Sequence, residues 1–503
     1  SAYYHPFLRN SYKAQGCILL NLSNSYAIIL LKTYIGGGFA MLTRTIWDKL
    51  DAWKGRPHHP LVLRGLRQTG KTFAVQEFGR RHYEHTVCLD LRQNTSVHEA
   101  FEGNFDVDAM VLSITSQVSS ARFVPGRTLL VLDEIQDCPN ARSSLKYWDI
   151  DGRYDVIATG SFLGVKGFRD PYPRGIPVGY EEQITMHPLS FREFLRNAHI
   201  GEDVLSYVQE QLDAGEPLLP AVHEGMRSLY LQYLVVGGMP EAVNTFFGTH
   251  DLNAVRAVQQ GILASIRDDF GRYRNARGED AVNEVLKLRA EACLDSLPAQ
   301  LSKEYKKFQY SKVNARGNSP QKADGLQYLV DVGLVSKAYN LREISAPLEA
   351  AKIDREFKVF FADTGLLMSQ LAHGTAAQVL RGDLGAYKGA IAENMVACAF
   401  CVDDRELYYY HAPSGSPELD FVADLCGVPT IVECKASNKR ATSMRFVLDN
   451  PKRFGAHPAV KYADANVGHG KGFRTLPLYA LGFLDEPQEP LVVPAVHIEL
   501  PHK

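Results

Sequence analysis

The octapeptide Gly65-Leu66-Arg67-Gln68-Thr69-Gly70-Lys71-Thr72 matches G-x-x-x-x-G-K-[ST] at every fixed position, and it restricts the surrounding chain to one kind of architecture. Such a loop works only between a buried strand and the first turn of a helix, where its N–H groups can converge on a phosphate. Both flanks have that character. Leu61-Val62-Leu63 reads as a short buried strand after Pro60, and a helix is expected to begin near Lys71. Backbone N–H groups of Gly65, Arg67, Gln68, Thr69 and Gly70 can then curl around a β-phosphate. Lys71 reaches the β and γ oxygens, and Thr72 offers its hydroxyl to Mg²⁺. ATP and Mg²⁺ are the expected cofactors.

A second element agrees with the first. Leu129-Leu130-Val131-Leu132-Asp133-Glu134 is a strand ending in two acids, the pattern in which Asp133 holds the magnesium shell and Glu134 polarises the attacking water. Further apolar runs at 87–91 and 156–159 are separated by helix-length segments, the rhythm of a parallel α/β sheet with crossover helices. The 156–159 strand runs into Gly160-Ser161, where Ser161 is the expected γ-phosphate sensor; a helix N-cap is the other reading. Before the loop, Ile46, Trp47, Leu50 and Trp53 follow a helical spacing.

The chain has 503 residues, which at about 150 per domain suggests three or so domains. Residues 200–275 lose the strand signal and read as amphipathic helices, for example 226–236 and 252–270, the pattern of a helical lid. Residues 283–345 hold helices interrupted at Gly317-Asn318-Ser319-Pro320 and a helix-to-strand turn at Gly333, as a winged helix would. Beyond residue 357 a mixed region carries a helix over 388–400 and strands over 406–411, 419–425, 430–434 and 476–480. With 55 Lys and Arg against 57 Asp and Glu, the whole chain is no basic nucleic-acid binder, so any such site must be local. Eight cysteines are too dilute for a disulfide framework, which fits a reducing cytoplasm. The apolar stretch over 17–31 is broken by Asn21, Ser23, Asn24 and Ser25, so no membrane-spanning helix is expected. Gly36-Gly37-Gly38 shortly before Met41 suggests that Met41 is the start and that 1–40 is a non-native or disordered extension.

The run Leu63-Arg64-Gly65 through Thr72, the Asp133-Glu134 pair and Thr159-Gly160-Ser161 resemble one family. So do Pro188-Leu189-Ser190-Phe191-Arg192-Glu193-Phe194, Val236-Gly237-Gly238-Met239-Pro240 and Asp363-Thr364-Gly365-Leu366-Leu367. It is the bacterial and archaeal AAA-type ATPases that carry a PD-(D/E)XK nuclease-like C-terminal domain of unassigned function. The resemblance implies a P-loop ATPase domain over 41–198, a helical lid over 199–282, a winged-helix-like domain over 283–345 and a restriction-endonuclease-like α/β domain over 346–503. Many relatives carry a Gly-Arg pair before the Pro-Leu-Ser-Phe element, but this chain has Gly179-Tyr180-Glu181, so Arg169 and Arg174 are only nearby candidates for an arginine finger.

In the C-terminal region, Glu418-Leu419-Asp420 is followed by Glu433-Cys434-Lys435. Positions i and i+2 of a strand share a face, so Glu433 and Lys435 can meet Asp420. Two carboxylates could hold Mg²⁺ and Lys435 could position its water, with Glu393 adding an acid from the preceding helix. Cys398 and Cys401 form a C-x-x-C without a second close pair, which buried cysteines explain better than a metal cluster. Lys303, Lys306, Lys307, Lys312, Arg316 and Lys322 form a local basic excess that could grip DNA phosphates or be a solvated face. Gly468-His469-Gly470-Lys471-Gly472 is expected to be a loop. The expected function is an ATPase coupled to a nuclease-like, DNA-binding domain. The alternative is a regulatory or signalling switch whose C-terminal domain is a non-catalytic interaction module. Nothing in the pattern sets an oligomeric state.

Overall fold

The apolar runs around the phosphate loop lie side by side. β1 (Leu61–Arg64), β2 (His85–Asp90), β3 (Thr128–Asp133), β4 (Asp155–Gly160) and β5 (Glu182–Thr185) form an all-parallel sheet in the order β2-β3-β4-β1-β5. The computed structural model describes residues 41–161, 179–274, 280–303, 307–383, 387–402, 405–425, 427–436 and 440–484. Alternation divides the strands between two cores. Leu61, Leu63, Leu129 and Val131 meet Leu50, Trp53, Val75 and Phe78 from α1 (Ile46–Lys54) and α2 (Lys71–His82). Val62, Leu130, Leu132 and Val156 meet Met110, Ile114, Leu145 and Trp148 from α3 (Val107–Gln117) and α4 (Pro139–Asp151). Helices on both faces explain why residues 129–132 are apolar without interruption.

After β5 come α5 (Phe191–Asn197) and a helical segment of four helices, α6 (Glu202–Ala214), α7 (Pro220–Val236), α8 (Pro240–Thr249) and α9 (Leu252–Asp268). A short hairpin, β6 (Arg272–Arg274) with β7 (Asp280–Val282), leads to α10 (Glu284–Leu301) and α11 (Ser319–Asp331). The predicted break at 317–320 is the start of α11, where Asn318 and Gln321 form a reciprocal capping box.

β8 (Val335–Leu341) and β9 (Lys352–Phe361) form the antiparallel hairpin expected of a wing. They do not stand apart, however. After α12 (Thr364–Ser369), α13 (Thr375–Leu380) and α14 (Lys388–Val402), strand β10 (Leu407–His411) lies parallel to β8, with Tyr408 opposite Tyr339. The hairpin is therefore the edge of a mixed eight-stranded sheet, β14-β15-β13-β12-β11-β10-β8-β9, and the boundary expected at 345/346 falls inside it. Side-chain alternation reveals which face of a strand is buried, but not which distant backbone will pair with its edge.

The remaining strands are β11 (Glu418–Leu425), β12 (Val428–Lys435), β13 (Ala459–Ala463), β14 (Gly468–Gly470) and β15 (Phe473–Pro477). The expected glycine loop at 468–472 thus contains β14, which pairs antiparallel with β15. α14 covers one face of this sheet, with Ile391, Met395 and Phe400 against Phe360, Phe421 and Val432. α15 (Thr442–Leu448) covers the other with Met444 and Val447. Helices α6 to α9 share the first of these cores, so no gap in packing separates this helical segment from the C-terminal sheet. Among the described residues, no helix is long and apolar enough to cross a membrane.

The helical segment meets the loop before α5 by a close backbone approach. Leu189 N–H donates to the Gly238 carbonyl (2.7 Å), and the Tyr233 hydroxyl donates to the Leu189 carbonyl (2.6 Å). A methyl group on Gly238 would overlap that carbonyl and lie 2.7 Å from the Leu189 nitrogen. Gly225 in α7 and Gly261 in α9 face open space. Gly238→Ala should therefore cost more than about 2 kcal/mol, whereas Gly225→Ala and Gly261→Ala should each gain about 0.5–1 kcal/mol in denaturant unfolding. Equal effects at the three positions would contradict this packing.

Candidate functional site

The phosphate loop turns at Gln68 (φ 62°) and Gly70 (φ 91°), both left-handed, and delivers Lys71 to the first turn of α2. Lys71 is 8% exposed, and its Nζ donates to the carbonyls of Gly65 (3.0 Å) and Leu66 (2.9 Å). Burial pulls its pKa down to about 8, against the opposing influence of Glu134 and Asp133. Asp133, at the end of β3, accepts from the Thr72 hydroxyl (2.9 Å to Oδ2), from the Thr159 hydroxyl and from the Glu134 N–H (3.2 Å). Loop, acidic strand end and neighbouring strand therefore share one carboxylate. Thr72 and Asp133 together present hard oxygen ligands of the kind Mg²⁺ takes. Ser161 follows β4 directly and is half-buried. Arg169 and Arg174 lie outside the described residues.

Three features around the loop escaped the sequence reading. Arg44 is buried, donating to the Thr69 carbonyl (3.0 Å), the His187 carbonyl (2.7 Å) and Glu193 Oε1 (3.2 Å). Glu193 also closes a capping box with Ser190 at the start of α5, so the Pro-Leu-Ser-Phe-Arg-Glu-Phe run is a clasp for the loop. Arg67 forms an ion pair with Asp269, just beyond α9, which ties the loop to that helix's end. Gln136 donates its amide to Glu134 Oε2. Spacing alone carries no signal for these partners, because each depends on how the chain returns.

In the C-terminal sheet, Asp420, Glu433 and Lys435 do come together. Lys435 Nζ lies 2.7 Å from Glu433 Oε1 and 3.1 Å from Asp420 Oδ2, and the Cys434 N–H donates to the same Asp420 oxygen (3.0 Å). Burial first, then the Asp420 charge, pushes the Glu433 pKa up to about 7. Its Oε2 is buried without a hydrogen-bond partner. Glu393 is engaged differently from expectation. It and Glu418 flank the buried Lys358, at 3.7 and 3.4 Å, and Lys358 also sits over the Tyr409 ring. Burial opposes the Lys358 charge, but Glu393, Asp420 and Glu418 outweigh it and raise its pKa. A lone lysine in the apolar run Phe357-Lys358-Val359-Phe360-Phe361 was the available signal for this cluster. Among the described residues, no three His, Cys, Asp or Glu side chains are grouped to hold a metal ion.

The other expectations divide. Cys398 is buried, with its thiol directed at the Phe361 carbonyl (3.2 Å), as a packed helix cysteine would be. Of the basic segment, Lys307 pairs with Glu356 (2.8 Å), and Lys322 serves the carbonyls of Val313 (2.8 Å) and Tyr310 (3.3 Å). Lys303, Lys312 and Arg316 are exposed, and Lys306 lies outside the described residues.

Residues 57–195 match the AAA domain family, and residues 227–376 match a domain of unknown function (DUF8612). A comparison with curated proteins finds no match. Among solved structures, the walker-type ATPase paby2304 of Pyrococcus abyssi is similar over 66% of this chain and 96% of its own. Its identity is 12% and its TM-score 0.40. The ORC2 protein of Aeropyrum pernix, in its ADPNP–ADP complexes, is similar over 73% of this chain and 98% of its own, with 13% identity and a TM-score of 0.32. The family match over the loop-bearing sheet supports an AAA-type, ATP-binding P-loop ATPase.

Asp363 links the turn after α7 to the start of α12. Its Oδ2 accepts from Gly238 N–H (2.6 Å) and its Oδ1 from Leu366 N–H (2.9 Å) at the start of α12. Burial raises its pKa from 3.8 to about 6 despite these donors. A folded-state pKa above the unfolded one gives stability that is present in full below about pH 4 and lost as pH rises through about 6. Asp363→Asn keeps the shape and removes the titration. Wild type should gain on this variant by up to about 3 kcal/mol between pH 7.5 and 4 in denaturant unfolding. A difference independent of pH would contradict the assignment.

Proposed function

We propose that the chain hydrolyses ATP at residues 65–72 and uses that cycle to set the position of a nuclease-like domain that binds DNA. The carrying observation is that Thr72, Thr159 and the Glu134 N–H all donate to Asp133 beside the buried Lys71, a shared hydrogen-bonded group of the parts phosphoryl transfer needs. The backbone N–H groups of the loop hold the β-phosphate, and Lys71 spans the β and γ oxygens. Glu134 takes a proton as the water oxygen bonds to the γ-phosphorus, while the bond from that phosphorus to the bridging oxygen breaks and ADP leaves. Thr72 and Asp133 would hold Mg²⁺, which would supply neutralisation of the phosphate charge. Ser161 senses the γ-phosphate from the end of β4.

In this reading 199–282 is the lid, 283–345 the winged-helix-like part and 346–503 the nuclease-like domain. Asp420 and Glu433 would hold a divalent cation, a role supported by the buried, unsatisfied Glu433 Oε2, and the cation would neutralise charge at a phosphodiester. Lys435 would orient the attacking water. A second reading has its own support. Lys435 is shared by Asp420 and Glu433, and Lys358 by Glu393 and Glu418, so the acids already carry counter-charges. The domain would then be an interaction module and the protein a regulatory switch. The six described cysteines are thiols, in keeping with a cytoplasmic setting.

Two tests follow. Lys71→Ala should weaken ATP binding, whereas Glu134→Gln should retain ATP and lose about 10²-fold or more in turnover. Wild-type turnover by Glu134→Gln would remove the base. For the second sheet, Asp420→Ala and Glu433→Ala should abolish Mn²⁺ binding in calorimetry and cleavage of DNA together, and Lys435→Ala should keep the metal and lose cleavage. Metal binding without cleavage by the wild-type chain, with or without ATP, supports the interaction module; absence of metal binding removes the nuclease reading.

A further inference from the structure

Glu134 follows β3 in a left-handed backbone conformation (φ 54°), which a residue with a side chain adopts only under outside constraint. Its N–H is held by Asp133, and two side chains address its carboxylate. The Gln136 amide donates to Oε2, and Arg92, itself paired with Asp137 (2.8 Å), comes within 3.8 Å of the same oxygen. Both approach the same oxygen, Oε2.

Gln136 is not a surface side chain that happens to reach Glu134. Its own Oε1 is buried without a hydrogen-bond partner. That oxygen lies against the end of β4, where a side chain on Gly160 would come within 2.7 Å of it. One amide thus spans from the acid after β3 to the residue before Ser161. Burying an amide oxygen unsatisfied costs about 1–3 kcal/mol, a cost that packing alone does not require at a site where methionine has the same shape.

We infer that Gln136 is a positioning residue for ATP hydrolysis: its amide fixes the Glu134 carboxylate so that Oε1 is the oxygen that receives the proton from the attacking water. The inference rests on the reading of Glu134 as base. It assigns Gln136 no contact with nucleotide, so its loss should affect turnover and spare binding. Arg92 reinforces the same oxygen from the solvent side.

The test is a double-mutant cycle on the full chain, with steady-state ATP hydrolysis, binding of a fluorescent ATP analogue and thermal unfolding measured for each protein. Gln136→Met should lower kcat by about 10- to 100-fold, the effect of one hydrogen bond to a charged group, with analogue affinity and KM within about twofold of wild type. Gln136→Glu, with a like charge against Glu134, should fall further. In a Glu134→Gln background, Gln136→Met should produce no additional loss, because a residue that acts through another has no effect once that partner is gone. A kcat within twofold of wild type for Gln136→Met overturns the inference. So does an equal loss in both backgrounds, or a loss matched by weakened analogue binding. If Glu134→Gln itself turns over ATP at the wild-type rate, it is the base that fails, a result distinct from these.

Discussion

Asp363, at 3% exposure, ties the turn at Gly238 to the start of α12 inside the apolar core that α6–α9 share with the second sheet. Asp363 accepts backbone N–H groups from Gly238, Gly365 and Leu366, and these donors are what make its burial tolerable. Around it the chain folds back three times. Leu189 bonds Gly238 from the loop before α5, Gln259 of α9 donates to the carbonyls of Val235 and Val236, and Asn394 of α14 brackets Phe361 two residues before the aspartate. None of these contacts is apolar, yet all are buried. The surrounding apolar core could slide, whereas these directional bonds within it allow one register. The runs Pro188-Leu189-Ser190, Gly237-Gly238 and Asp363-Thr364-Gly365 are far apart in sequence and adjacent here for that reason.

What could be read from the sequence was what is local. The phosphate loop, β1, β3, β4 and the helix from Lys71 follow from turn chemistry and apolar runs, and the Thr72–Asp133 contact follows from the two motifs that carry it. β5 was not read, because Glu182-Gln183-Ile184-Thr185 is a polar edge strand. β9 was hidden by Asp354, Arg355 and Glu356, charges that fall where the pairing with β8 shifts register, between Ile353 and Phe357. Its attachment to the C-terminal sheet depends on β10, reached only after three helices. The same non-locality governed charge. Lys307 looked like part of a basic stripe until Glu356 returned beside it, and Glu393 looked like a metal ligand although Lys358 is its partner. Residue type and spacing identify which side chains can carry a charge; the fold decides which charge each one meets.

The two sites handle burial of charge in different ways. At the loop, Lys71 is kept by carbonyl oxygens, and its pKa near 8 records an ammonium whose acidic neighbours only partly offset its desolvation. An ammonium in that condition gains from any anion brought to it. In the second sheet the balance is reversed. Lys358 and Lys435 are surrounded by acids that more than offset burial, and Glu433 is held towards its neutral form. A cation entering there competes with Lys435 for Glu433 and Asp420, so its affinity is set by a difference between two ion pairings.

β9 connects these two electrostatic regimes. It carries Lys358 into the acid cluster and ends at Phe361, two residues before Asp363 accepts from Gly238. An extended strand has no slack along its axis, since each residue already spans about 3.3 Å. The bond from Gly238 to Asp363 lies just past the end of a strand whose one side pairs with β8. The loop meets the residue after α9 through Arg67 and Asp269, and the turn after α7 meets Asp363 through Gly238. Lys358, buried on β9, stands 3.7 Å from Glu393 and 3.4 Å from Glu418, so Coulomb attraction in a desolvated setting holds it among the acids.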